Sequence, residues 1–154
     1  MVRRATGLGG MVVLALIAVV GLSACATTQE APAGVSLYKQ LGGREGIALV
    51  VDDFAANVVA DERINARFKA LKPEQVFKFK SNLADQICDA TGGPCAYVGR
   101  DMKTTHKGMK ITDAEWSATV ENLTKALDKN KVDPKDRSEL LGMLAPMKAD
   151  IVGQ

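Results

Sequence analysis

The sequence predicts an all-α domain. Three observations predict it. Apolar residues recur at steps of three and four through most of the chain beyond residue 35. No stretch alternates apolar and polar residues for long enough to make a strand. Helix start signals recur at intervals that leave only short connections. With 154 residues the chain has the length of one domain with a substantial core. Five or six helices fill residues 36–154, with no internal repeat, and the apolar stripes are too broad and short for a coiled coil.

The first element is outside that domain. Arg3 and Arg4 precede the uncharged run Met11–Val20, and small residues follow it. The run is too short for a transmembrane helix of ~20 residues. A positive start, an apolar centre and a small-residue exit describe an export signal over residues 1–24. Its exit, Leu22-Ser23-Ala24-Cys25, resembles the lipobox of bacterial lipoproteins. The resemblance implies lipidation of the Cys25 thiol, cleavage before it and acylation of the new amino terminus. Several lipid chains anchor a protein stably. Cys25 is followed by Ala26 rather than Asp, which in enteric-type bacteria directs such a protein to the outer membrane, here facing the periplasm. Residues 25–35 then form the lipidated cysteine and a polar tether containing Pro32 and Gly34.

Processing alters the charge. The full chain has 20 basic and 18 acidic residues; loss of residues 1–24 removes Arg3 and Arg4 and no acid, leaving 18 of each. Without a basic excess, a nucleic-acid-binding role loses its support.

Within residues 36–154, Ser36 can cap a short helix to Leu41, stopped by Gly42-Gly43. Ile47, Val50, Val51, Phe54 and Val58 then fall on one stripe of a helix over about 44–60. Residues 61–68 read as a turn and a short helix carrying Ile64 and Phe68. Pro73 opens a helix to about 91, with Val76, Phe79, Leu83 and Ile87 in register. Residues 92–99 are a loop, and a short helical stretch over about 100–107 carries Met102 and His106. Thr112-Asp113-Ala114-Glu115 is a capping box opening a helix to about 129, with Trp116, Val120, Leu123 and Leu127 on one face. Asp133-Pro134 opens the last helix, with Leu140, Leu144, Met147 and Ile151 in register.

Few residues offer chemistry. With Cys25 lipidated, Cys88 and Cys95 remain, in a protein bound for a compartment that permits disulfides. Gly92, Gly93 and Pro94 let the chain turn back between them, which favours a bridge; two buried free thiols are the alternative. Two cysteines and one histidine are one ligand short of a zinc site. No Cys-x-x-Cys-His is present, so covalent c-type haem attachment on that pattern is excluded. His106 is the only histidine. The broad apolar faces could enclose a large flat ligand, and equally could pack on each other.

From Ser36 to Val152 the chain resembles group I truncated haemoglobins. The resemblance rests on Leu37-Tyr38-Lys39-Gln40-Leu41-Gly42-Gly43, Val51-Asp52-Asp53-Phe54, Phe68, Gly92-Gly93-Pro94 and Tyr97-Val98-Gly99-Arg100-Asp101-Met102-Lys103 leading to His106. Gly108, Ile111-Thr112 and the Leu-Ala-Pro ending at Pro146 complete it. It implies a two-over-two helical sandwich holding non-covalent haem b. His106 matches the proximal iron ligand and Phe68 the residue stacked near the porphyrin. Phe54, Phe79, Leu83, Ile87, Met102, Trp116 and Val120 are candidate walls, with core packing as the other role of each. Lys78, Lys80, Arg100 and Lys103 are candidate partners of the haem propionates, or plain surface charges.

On the distal side the chain departs from the family. A tyrosine that donates to bound O2 in well-known members is Ala55 here, the usual glutamine falls on Leu83, and the gate position on Phe79. Gln86 and Asn82 are the nearest amides. The resemblance implies reversible binding of O2, CO or NO at a membrane-tethered, His-ligated iron, with an unidentified electron donor. The alternatives are a haem enzyme, either a nitric oxide dioxygenase or a weak peroxidase, and a cofactor-free structural lipoprotein. Peroxidase chemistry wants a distal acid–base residue, and none is visible. Anchoring has a direct check. Cys25→Ser cannot be lipidated, and the variant should stay unprocessed or lose its partition into detergent. Unchanged membrane association and mass would refute the lipoprotein assignment.

Overall fold

The computed structural model describes residues 34–154; the proposed signal, Cys25 and most of the tether lie outside the described residues. Seven α-helices follow in order: α1 (Leu37–Gln40), α2 (Gly43–Ala60), α3 (Asn65–Lys69), α4 (Pro73–Ala90), α5 (Met102–His106), α6 (Asp113–Lys129) and α7 (Pro134–Leu144). A 3-10 turn, Ala145–Asp150, ends the chain's helical structure.

Helix α2 is the centre. It packs against α4 on one side and α6 on the other, and α7 lies against α6 and α1. The result is the two-over-two sandwich, α2 and α4 over α6 and α7. The period-3.6 stripe of α2 is the reason: Ile47, Val50, Val51, Phe54 and Val58 are all buried. From the other helices come Ile87 and Cys88, Leu123, Ala126 and Leu127, and Leu140. Burying a side chain of the Leu or Ile class contributes about 1.5–3 kcal/mol, so these contacts dominate the fold's stability.

The start signals work as local chemistry requires. Thr112 Oγ1 accepts from the Glu115 N–H, and the Glu115 side chain accepts from the Thr112 N–H. The Asp133 side chain accepts from the Lys135 N–H, with Pro134 in the first turn. Two expectations need correction. Ser36 sits at the N-cap of α1 in extended conformation, but its side chain makes no capping bond. The last helix stops at Leu144 rather than running through Ile151. Pro146 lacks the N–H an α-helix needs there, and its ring opposes the preceding turn, so the chain tightens into 3-10 geometry.

Two tethers hold the weaker parts. Ile111 and Val152 form an isolated parallel bridge, with Gly153 N–H donating to Ile111 O at 2.9 Å and Lys110 N–H donating to Gln154 O. The chain's end thereby ties down the segment between α5 and α6. A disulfide joins Cys88 near the end of α4 to Cys95 in the loop. Gly93 makes this possible, since a Cβ there would collide with Cys88 Sγ and the Tyr38 ring.

Gly46, at the start of α2, is equally constrained. A Cβ at that position would sit inside contact distance of the Leu41 carbonyl oxygen. Gly46→Ala should cost about 1–3 kcal/mol, the range for inserting atoms where none fit. Gly142 in α7 has open space around its missing Cβ. Gly142→Ala should therefore raise stability slightly, by about 0.5–1 kcal/mol. Thermal unfolding of both variants checks the pair, and equal effects would refute the packing argument.

Candidate functional site

Helix α4 touches α2 with one face and leaves another partly open. Phe79, Leu83 and Gln86 follow at steps of four and three, so they share that second face. All three are only half-buried, whereas Ala84, Ile87 and Cys88 on the adjoining face are buried.

At the amino-terminal end of this face lies a half-open cavity of about 440 Å³. Ala55, Ala56 and Val59 of α2, Phe68 and Leu71 around α3, and Val76 and Phe79 of α4 give it apolar walls. The Phe68 and Phe79 rings lie 5.5 Å apart, and Phe54 and Phe79 6.3 Å apart. Asp52 and Lys80, also among the lining residues, are ion-paired at 2.5 Å. Ala55, Phe68 and Phe79 are thus brought together as the sequence suggests. Leu83 is not among the residues lining this cavity, and the nearest candidate amide turns elsewhere.

That amide is Gln86. Its Nε2 lies 3.5 Å from Met147 Sδ and 3.7 Å from Met102 Sδ, toward α5 and the 3-10 turn. It does not face Ala55. The cavity walls are carbon, and no donor for a small polar ligand projects among them except the ion-paired Lys80.

His106 is prepared by its own helix. Its Nδ1 lies 2.8 Å from the Met102 carbonyl oxygen, four residues back. A carbonyl can only accept, so Nδ1 carries the proton, and in the neutral ring Nε2 keeps its lone pair. A neutral imidazole so arranged is able to serve as a metal ligand, with its orientation held from behind. Upstream, the Asp101 side chain caps α5 by accepting from the Thr104 N–H at 2.8 Å. That backbone bond holds the Asp101 carboxyl below the usual carboxylate range. Tyr97 Oη donates to Arg100 O at 2.7 Å and so fixes the loop that delivers α5. Burial pushes the Tyr97 phenol up.

The remaining candidate walls divide. Met102, Trp116 and Val120 are half-buried. Phe54 and Ile87 are 5% and 1% exposed and belong to the protein's own core. Sequence periodicity places them on the right stripes but does not separate walls from core. Of the candidate propionate partners, Lys80 is committed to Asp52, while Lys78, Arg100 and Lys103 form no ion pair among the described residues. Sequence reasoning missed Arg44. It donates to Asp85 at 2.5 Å and to Cys95 Sγ at 3.1 Å, joining α2, α4 and the loop. No local pattern announces contacts made across 41 and 51 residues.

His106 does not line the 440 Å³ cavity, but half-buried large apolar side chains on several helices and an imidazole oriented by its own helix, within this sandwich, are features of the globin class. The chain belongs to the bacterial-like globin family, whose model matches residues 36–153. It is 32% identical over 116 residues to a group 1 truncated hemoglobin of Mycolicibacterium paratuberculosis, covering 75% of this chain and 83% of that one. It is 31% identical over 129 residues to a group 1 truncated hemoglobin of Chlamydomonas moewusii, covering 82% and 72%. The truncated hemoglobin of Tetrahymena pyriformis, solved in its Fe(III) form, superposes with a TM-score of 0.72 at 28% identity, over 78% of this chain and 100% of that one. A 2/2 hemoglobin of Synechococcus, solved in the cyanomet state with covalently attached heme, superposes at 0.70 with 29% identity, over 77% and 98%.

Proposed function

We propose that the protein binds haem b non-covalently through His106 and reversibly takes up O2, CO or NO while tethered to a bacterial envelope membrane by lipidated Cys25. The observation that carries the haem assignment is the His106 Nδ1–Met102 O bond, which presents a free Nε2 lone pair. The half-exposed Phe68, Phe79, Leu83, Met102, Trp116 and Val120 fit the group, because a flat apolar ring system would cover surface that water otherwise wets. Bound haem supplies an iron that coordinates diatomic gases.

The chain's own residues do the rest. Met102 O fixes the tautomer and azimuth of the imidazole. Phe68 and Phe79 exclude water. Ala55 and Leu83 offer no proton donor or acceptor, which favours a ligand-binding role over dioxygenase or peroxidase chemistry. Residues 1–24 as a signal, 25–35 as anchor and tether, and an outer-membrane location facing the periplasm rest on the sequence pattern described above.

His106 is the only histidine, so no second imidazole can replace it. His106→Ala should abolish or strongly weaken haem retention, read from the Soret band and the CO-difference spectrum of the reconstituted protein. An unchanged spectrum would overturn the assignment.

The distal wall gives a second test. O2 is a more polar ligand than CO when held in such a pocket and gains more from a donor, by about 1.5–3 kcal/mol where charge is involved. Wild type should therefore release O2 fast. Ala55→Tyr adds a hydroxyl at the cavity wall and should slow O2 release by roughly ten-fold or more, since 1.4 kcal/mol is a factor of ten. CO release should change far less. Stopped-flow rates for both gases on both proteins decide it, and slow O2 release in wild type would contradict the apolar reading.

A further inference from the structure

We infer that the cationic edge formed by the end of the 91–101 loop, α5 and the turn after it is a docking surface for anionic phospholipid. Residues 100–110 carry Arg100, Lys103, Lys107 and Lys110 against one acid, in a mature chain whose charges balance overall. All four cations are exposed, and none is ion-paired among the described residues. Three nearby acids are engaged, while Asp150, on the 3-10 turn that packs against α5, forms no ion pair among the described residues. Asp101 caps α5, Asp89 accepts from the Tyr97 N–H, and Asp113 pairs with Lys148. The edge is also ordered: Tyr97 Oη holds the Arg100 carbonyl, and the Lys110 N–H is bonded to Gln154 O. Val98, in the same loop, is 90% exposed, the most open of the large apolar side chains among the described residues.

What selects a membrane rather than an acidic protein is where the chain enters. Gly92, at the start of the loop, lies beside Ser36, and Tyr38 N–H donates to Thr91 O. The proposed anchor at Cys25 is eleven positions before Ser36, a span of at most ~40 Å when fully extended. Under the anchored reading, on which this part of the argument rests, the bilayer lies within reach of this end of the molecule. Lys69, Lys72 and Lys78 form a second unpaired basic group, but they sit around the opposite end of α4, with Glu74 among them. Basic groups gain from an anionic leaflet only within about a Debye length, so the edge on the loop that begins beside Ser36 is the one this reading selects.

The test uses residues 34–154 without the lipid. That part holds the whole described core, and the matched Tetrahymena structure consists of nothing else, being covered over its full length. Failure of the anchor itself therefore cannot mask the result. Co-sedimentation with phosphatidylglycerol-containing vesicles should show binding that is absent with pure phosphatidylcholine and lost at high salt. The variant Lys103→Glu/Lys107→Glu/Lys110→Glu should bind at least about ten-fold more weakly, with unchanged helical circular dichroism. Lys69→Glu/Lys72→Glu/Lys78→Glu should bind like wild type. Equal binding to both vesicle types, or equal loss in both variants, would overturn the proposal. So would salt-sensitive capture of polyglutamate without vesicle binding, which would point to an acidic protein partner. Loss of haem retention in the first variant with vesicle binding intact would assign these cations to the propionates instead.

Discussion

One stripe of helix α2 is buried along its length against two partners at once, and the rest of the molecule follows from that constraint. A helix wedged between α4 and α6 must be apolar on a broad stripe, which Ile47, Val50, Val51, Phe54 and Val58 supply. It must also enter closely, which is why Gly46 can pass the Leu41 carbonyl. Because α4 spends one face on α2, its second face, with Phe79, Leu83 and Gln86, is only half-buried. The partly open face is a by-product of the packing and also the place where a flat group would be held.

The two sides of that face are built unequally. On the α5 side, cap, loop and carbonyl converge on one imidazole: Asp101 starts the helix, Tyr97 steadies the loop, and Met102 O orients the ring. On the α2 side the walls are plain hydrocarbon, and the polar residues present, Asp52 and Lys80, engage each other. Were a flat group held there, one oriented imidazole and an undemanding hydrocarbon wall would suit holding it firmly while leaving an incoming small molecule weakly discriminated.

Much of this was legible in the sequence, and the illegible part has definite causes. Caps are local chemistry, so Thr112–Glu115 and Asp133–Pro134 mark helix starts correctly. The end of α7 was obscured because Met147 and Ile151 continue the apolar period even though Pro146 forces 3-10 geometry. Phe54 and Ile87 illustrate a deeper limit. Periodicity reveals which side chains turn inward but not whether protein or another group covers them, and here protein does. The direction of Gln86 was hidden because it depends on two sulfur atoms, one of them from Met147, 61 residues away. Arg44 could not be singled out at all, since an arginine near a helix start carries no signal of its distant partners.

The bridge between α4 and its following loop has one exposed approach and one sealed one. Cys88 is 0% exposed, while Cys95 is half-buried beside the Arg44 guanidinium. An external thiolate can reach only the Cys95 sulfur, and the group it must then expel is the Cys88 thiolate, released among Ile87 and other core side chains with no water to stabilise it. The sulfur that would leave well, steadied by a neighbouring cation, is the one whose departure requires attack on an inaccessible atom. The folded chain thereby insulates this crosslink from small reductants in both directions, so it behaves as a permanent fastening of the loop rather than as a sensor of its surroundings.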